Sequence, residues 1–377
     1  MTSAGPFAGR NVVKRTITAA CGVAFFVLIT YIGLPAFLLS ALVVQVKCFH
    51  EIIAIAYASK KVPEIPSFRL LNWYFVIVAN YFFCGETFPQ YLVAFTTKYE
   101  FFAALFKYHR VLSFCCYFLG LVWFTNLLKR EATRQQFSLL AWTHFLCIII
   151  VFQSYTVVQN TFEGLVWLIV PISIVFLNDI FAYLFGKLFG KTPLTELSPS
   201  KTIEGFLGGA LGTVVLGSLL AHLLSSAEYL VCPTKFILTD DRIVMSNNCT
   251  PSYLFQLEAY RLGPFRLETY PFLWHVQVIS LFASLVAPFG GFCASGFKRG
   301  FKVKDFADTF PGHGGFMDRF DGQYLMATFI NVYISTFIKS SSSIDKILVR
   351  VSHLSNDNQR IFFNLLEESL RWRGLLS

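Results

Sequence analysis

Between Ser295 and Gln323 the chain reads SGFKRGFKVKDFADTFPGHGGFMDRFDGQ, a polar segment lodged between two long apolar runs. Lys298, Arg299, Lys302 and Lys304 set four cations within seven residues. Pro311-Gly312-His313-Gly314-Gly315 follows, and its three glycines permit positive φ and let peptide N–H groups come close to an anion. Asp318 and Asp321 stand three apart, so on a helix they share one face and can hold one or two hard cations through oxygen. His313, beside a phosphate, can donate a hydrogen bond or a proton. Taken singly, each fragment has a plain explanation. The cations suit an orientation signal at a membrane face, the glycines a turn, and the acids a helix N-terminus, where they contribute only ~0.3–1 kcal/mol. Their coincidence in one short segment points instead to chemistry on phosphate groups.

A second polar cluster lies in LNDIFAYLFGKLFGKTPLTELSPSKTIEGFLGG, Leu177 to Gly209. Asn178 and Asp179 interrupt an apolar run, and an acid inside a membrane costs at least ~2.5 kcal/mol, which makes it a functional candidate unless it bonds helix to helix. Ser198-Pro199 has the form of an N-cap followed by proline at the first helical position. The spacing predicts a helix from there, whose free N–H groups, with Lys201 in the first turn, form a phosphate seat.

The elements that must position these residues follow from composition. Of 377 residues, 55% are hydrophobic and 14% charged, and apolar runs of membrane-crossing length recur. The fold class is therefore all-α, a polytopic bundle of about nine spans. These run Thr16 to Gly33, Ala36 to Tyr57, Phe68 to Phe83, Val111 to Leu128, Phe137 to Val158, Phe162 to Phe185, Phe206 to Leu224, Trp274 to Cys293 and Tyr324 to Ile338. Residues 1–15 form a cytoplasmic tail, 16–340 the membrane domain, and 341–377 a tail with helical apolar spacing, suited to the bilayer interface or to the bundle surface. The first span reads as a signal anchor that stays in place.

With the N-terminus inside, most of the Lys- and Arg-bearing loops fall on the cytoplasmic side. The longest loop, Ser225 to Pro271, falls outside and carries Asn248-Cys249-Thr250, the form of a glycosylation acceptor. Its two cysteines, Cys232 and Cys249, are expected to pair in an oxidising lumen. Lys107 to Arg110 breaks the charge rule, so an early span is expected to be re-entrant or interfacial. The net charge of +9 is scattered over loops and tails, and no nucleic-acid-binding motif accompanies it, so the basic balance suits a lipid bilayer and anionic substrates instead.

Read as S-x-F-K-R-x4-K-D-x-A-x2-F-P-x-H-G-G-F-x-D-R-F-D, Ser295 to Asp321 resembles the signature of the phosphatidate cytidylyltransferases, or CDP-diacylglycerol synthases. The Asn178 to Phe206 block, QVKCFHEI at Gln45 to Ile52, YFFCGET at Tyr81 to Thr87 and DGQYLMATF at Asp321 to Phe329 resemble the eukaryotic branch. Ser200 and Ile203 depart from the pattern, where a basic and an aromatic residue are usual, and Gly291 stands where bacterial members carry an acid.

The resemblance implies attack of phosphatidate on the α-phosphorus of CTP, in the endoplasmic reticulum membrane, with the active site facing the cytoplasm. It implies Mg²⁺ on Asp318 and Asp321, with Asp305 as a further candidate. Lys298 and Arg299 would meet phosphatidate or the α-phosphate, Lys302, Lys304 and Lys201 the outer phosphates, and Gly314 and Gly315 would supply backbone donors. Asn178, Asp179 and Ser198 fall in the substrate-binding block, and His313 would orient the attacking group. No general base is needed, because the phosphate is already ionised near neutral pH. A homodimer is implied by the resemblance alone. Two other readings use parts of the same pattern: a CTP-dependent lipid kinase attacking the γ-phosphorus, and a non-catalytic lipid transporter or scaffold.

Overall fold

The computed structural model describes residues 6–60, 66–91, 98–195, 198–239, 242–246, 249–262, 265–312, 314–339, 351 and 354–374. Each of the nine predicted apolar segments is helical. In chain order they lie on α1 (Pro6–Ile32), α2 (Leu34–Lys60), α3 (Pro66–Tyr91), α5 (His109–Asn126), which follows the short α4 (Glu100–Lys107), and α6 (Thr133–Leu146) with α7 (Phe152–Phe162). Then come α8 (Val166–Phe189), α9 (Ile203–Ser225), a single turn α10 (Glu228–Val231), α11 (Phe272–Leu285) with α12 (Pro288–Gly300), and α13 (Met317–Tyr333). Among the described residues five helical stretches are long and apolar enough to cross a membrane, or six if the bent pair α4–α5 is one span.

That bend, 68° at Tyr108, falls inside Lys107 to Arg110, the segment whose charges break the inside rule. Arg110 and His109 both reach Glu86 of α3 there, with Arg110 Nη2 donating at 2.7 Å and His109 Nε2 lying 3.4 Å away. A cationic corner that carries its own acid is no free orientation signal.

An all-helical chain needs one correction. Three two-stranded antiparallel sheets stand between the helices: β1 (Pro193–Thr195) with β2 (Ser198–Thr202), β3 (Lys235–Thr239) with β4 (Arg242–Ser246), and β5 (Glu258–Leu262) with β6 (Phe265–Thr269). The last two occupy the long loop after α10. A segment that long must satisfy its own backbone N–H and C=O groups, and hairpins do so locally. The Cys232–Cys249 disulfide closes the same loop. Asn248 lies outside the described residues.

The core that bears on function gathers Cys48, Phe49, Ile52 and Ile53 of α2, Phe68, Leu71 and Phe75 of α3, Leu139 and Leu146 of α6, and Tyr324 of α13. A separate seam joins α8 to α9. A Cβ on Gly205 would stand 2.6 Å from Ala182 O, and one on Gly212 would stand 2.7 Å from the Phe181 ring, so these helices approach as closely as their backbones allow.

Residues 331–377 form a second compact unit. Its α14 (Asn356–Trp372) buries no residue and exposes Ile361, Phe363, Leu365, Leu366 and Trp372.

Candidate active site

α12 starts at Pro288, suited to the first helical position, and ends with Val303 N donating to Lys298 O at 2.9 Å and Lys302 N to Arg299 O at 3.1 Å. This paired closure places the residue after the cap in the left-handed region, and Lys302 adopts φ 56° there, where glycine is usual. Lys298 and Arg299 therefore belong to the last turn of a helix, which corrects their expected place in the loop. Lys298 Nζ pairs with Asp318 Oδ1 and lies 5.4 Å from the centre of the Phe306 ring. Arg299, Lys302 and Lys304 are exposed beyond it.

The glycine segment folds back on itself. Phe310 N donates to Gly314 O at 2.8 Å, Gly314 N returns to Phe310 O at 3.2 Å, and the turn needs positive φ at Gly312 (78°) and Gly314 (83°). His313 lies outside the described residues. Asp318, its side chain 3% exposed, accepts at Oδ2 from Phe306 N and Gly315 N, both at 2.9 Å. From across the bundle, Glu51 of α2 accepts from Phe316 N at 2.9 Å, Met317 N at 3.0 Å and Thr309 Oγ1 at 3.0 Å. Neither Gly314 N nor Gly315 N is thus an open donor for a phosphate, because the loop's closure and Asp318 already take them. Asp318 in turn has both oxygens engaged with the protein. Asp305 is half-buried next to Phe306.

A different group converges around Asp321. Its Oδ1 accepts from Gly322 N at 2.7 Å, while its Oδ2 would lie 3.4 Å from a Cβ on Gly291, with Lys201 Nζ 3.8 Å from the same point. Lys201 Nζ also sits 4.6 Å from the centre of the Phe292 ring. Asp179 of α8 acts electrostatically on Asp321 and is itself under the influence of Lys201 and Arg319. Asp179, Lys201, Asp321 and Arg319 thus form an alternating set of charges brought from three places in the chain.

Two expected members fall elsewhere. Asn178, 4% exposed, accepts from Thr213 Oγ1 at 3.3 Å and donates to Ala283 O at 3.5 Å, so it ties α8 to α9 and α11. Ser198 is no N-cap: it pairs with Thr195 in the β1–β2 hairpin, which holds its backbone extended. The helix begins at Ile203, where Thr202 Oγ1 accepts from Gly205 N at 3.2 Å, and Glu204 turns back to accept from Lys191 N at 3.1 Å and Thr192 Oγ1 at 2.9 Å.

Glu51 and Arg319 were not singled out from sequence. Glu51 carried a readable signal, since it is an acid in an apolar span just as Asp179 is. Arg319 carried none beyond its place between the two acids.

Among the described residues no three His, Cys, Asp or Glu side chains converge as a ready metal site. Mg²⁺ typically needs only one or two carboxylates when substrate phosphates complete its shell. Asp321, within electrostatic reach of Asp179 and with no side chain on Gly291 to fill the space, fits that need better than the fully engaged Asp318.

The cytidylyltransferase family profile matches residues 13–337. The chain is 47% identical to human phosphatidate cytidylyltransferase 1 over 96% of its own length and 80% of that protein's. It is 46% identical to mouse phosphatidate cytidylyltransferase 2, covering 98% of this chain and 84% of the relative, and 42% identical to the Caenorhabditis elegans phosphatidate cytidylyltransferase, covering 100% and 82%. With acids and cations of the signature gathered at one place and identity maintained over nearly its whole length, the chain belongs to the cytidylyltransferase family, among the phosphatidate cytidylyltransferases.

Proposed function

We propose that this chain is an integral membrane enzyme that transfers the CMP moiety of CTP to phosphatidate, giving CDP-diacylglycerol and pyrophosphate. The near-full-length identity to phosphatidate cytidylyltransferases carries the reading. In the reaction a phosphatidate oxygen bonds to the α-phosphorus of CTP as the bond from that phosphorus to the departing pyrophosphate breaks. Both reactants are polyanions, so the barrier is largely mutual repulsion and charge build-up on the leaving group.

The chain's cations answer that repulsion. Lys201 and Arg319 flank Asp179 and are suited to triphosphate oxygens, while Lys298 and Arg299 on the last turn of α12 are suited to the lipid phosphate, with Arg299 offering a planar fork. Lys302 and Lys304, exposed just past them, would draw the outer phosphates of CTP, and His313 would orient the attacking group. Asp321 and Asp179 would hold Mg²⁺, whose chemistry when bound is to polarise phosphoryl oxygens and neutralise the leaving group. Asp318, by holding Lys298 and the turn, would set where these groups stand.

In this reading all nine helical segments span or enter the endoplasmic reticulum membrane. The N-terminal tail and the signature face the cytoplasm, and the disulfide-closed loop faces the lumen. α14, with its unburied apolar side chains, would lie in the membrane interface.

The test is a mixed-micelle assay with CTP labelled separately at the α- and γ-phosphates. Label from the α-position in the lipid product supports the transfer. Label from the γ-position would make the chain a lipid kinase, and label from neither would leave it non-catalytic.

A further inference from the structure

The acid at residue 51 lies deep in an apolar helix, where a carboxyl group is costly unless its oxygens are fully occupied. They are. Oε1 accepts from Thr309 Oγ1 and Phe316 N, and Oε2 accepts from Met317 N, so one side chain on α2 grips a turn more than 250 residues away. The fit leaves no slack: a Cβ on Gly315 would come within 2.5 Å of Glu51 Oε2. Asp318 takes the neighbouring Gly315 N, so the consecutive N–H groups of residues 315, 316 and 317 are divided between a local acid and a remote one.

That division fixes the first turn of α13. Asp318 sits in this turn with Lys298 bound to it, and Asp321 follows within one turn on the same helix. A rotation or slide of the turn would move Lys298 and Asp321 together relative to Asp179 and Lys201, which come from other helices. We infer that Glu51 is a positioning residue for the transfer reaction, a brace by which α2 sets the register of Lys298 and Asp321 against the rest of the site. The inference rests on the reaction proposed above, although its structural half does not. A glutamate is needed because both oxygens must accept. Glutamine would turn one acceptor into a donor aimed at an N–H or hydroxyl group, and alanine would leave all three donors unmet.

The experiment uses the full chain in mixed micelles and reads two things. The first is kcat and KM for CTP in Glu51→Gln, Glu51→Asp and Thr309→Val. The second is amide hydrogen exchange of peptides covering residues 306–320, with peptides covering 203–212 as the internal control.

Misplacing reacting groups by about 1 Å costs on the order of 10²-fold, so Glu51→Gln is expected to lower kcat by ~10- to 100-fold with KM for CTP within about 2-fold. Thr309→Val, which removes one of three bonds, is expected to lower kcat by about 2- to 5-fold, and its effect should vanish in the Glu51→Gln background. Exchange in 306–320 should rise while 203–212 stays protected.

Wild-type kcat in Glu51→Gln, or additive losses in the double variant, would overturn the inference. So would equal loosening of both peptides, which is the mark of general destabilisation. Should Glu51→Gln fail to fold, Thr309→Val decides by the same two readouts. If the wild type transfers no α-label, the proposed function fails; local loosening of 306–320 then still supports the brace, and its absence overturns it.

Discussion

Two helix N-termini meet at the candidate site, and each is finished in a different way. The turn before α9 is closed by its neighbours: Thr202 caps Gly205, and Glu204 reaches back to Lys191 and Thr192. The turn before α13 is closed partly from a distance, by Glu51 on α2 together with Asp318. In both, protein oxygens already occupy N–H groups that a helix N-terminus would otherwise offer to an anion. On the proposed reading, phosphate binding therefore falls on side-chain cations rather than on these N–H groups. The difference lies in reach: the first turn can fold with its own hairpin, while the second is correct only when two distant spans are docked.

The largest effect tests the shared half of that comparison. Asp321→Asn keeps volume but removes the negative charge that the proposed reading gives to Mg²⁺, and turnover is expected to fall by orders of magnitude with the protein still folded by size-exclusion profile. Near wild-type rates at saturating Mg²⁺ would reduce Asp321 to helix-end decoration.

Next comes the remote brace. Gly315→Ala drives a methyl group onto the Glu51 carboxylate and is expected to cost about 10²-fold in CDP-diacylglycerol formation, since either the turn or the carboxylate that braces it must shift. An unimpaired variant would show that the turn tolerates displacement.

The local turn should be far more forgiving. Thr202→Ala removes one cap, for which ~1 kcal/mol of stability is the ordinary cost, and turnover should stay within a few-fold. A thermal unfolding series in detergent would read the loss, and a collapse of activity without one would put Thr202 in the chemistry.

Smallest is Lys302→Gly. It relieves a left-handed backbone and should stabilise α12 by roughly 1 kcal/mol, whereas Lys302→Ala keeps the strain. If both variants lose CTP affinity equally, as seen in KM, Lys302 acts through its charge. If only the stability of the glycine variant changes, it acts through its backbone.

The helices were legible in the sequence because apolar runs of membrane length have few other ways to satisfy their backbones. Their ends were less so. Phe162 to Phe185 reads as a span, yet α8 runs Val166–Phe189, because Gly164 at φ 128° turns the chain before it. Ser198-Pro199 looks like a helix start, but strand pairing with Pro193–Thr195 holds it extended and moves the start to Ile203.

For the site, residue types were legible and partners were not. Asp179 and Glu51 raise the same flag, an acid among apolar neighbours. Only the fold tells them apart: Asp179 faces other charges, and Glu51 is saturated with donors. Asn178, a polar amide in the same apolar run, drew the same suspicion, and its hydrogen bonds to Thr213 and Ala283 make it a clasp between helices. No spacing rule joins residue 51 to residue 316, since that contact exists only after α2 and α13 have packed around a common core.

The glycine seam between α8 and α9 bears on how a two-tailed lipid travels. A hydrocarbon tail needs about 4 Å to its carbon neighbours on either side, and Gly205 and Gly212 leave less than one added carbon's room against Ala182 and Phe181. That seam is a sealed wall to lateral diffusion, although Asp179 and Lys201 each lie a few residues before its contacts in sequence. A lipid arriving in the leaflet would have to reach Lys298 and Arg299, its proposed phosphate contacts, by a route other than between these two helices. A phosphatidate bearing a photoreactive tail should therefore label helices other than this pair at residues 205–212, and strong labelling there would show the wall to be a door.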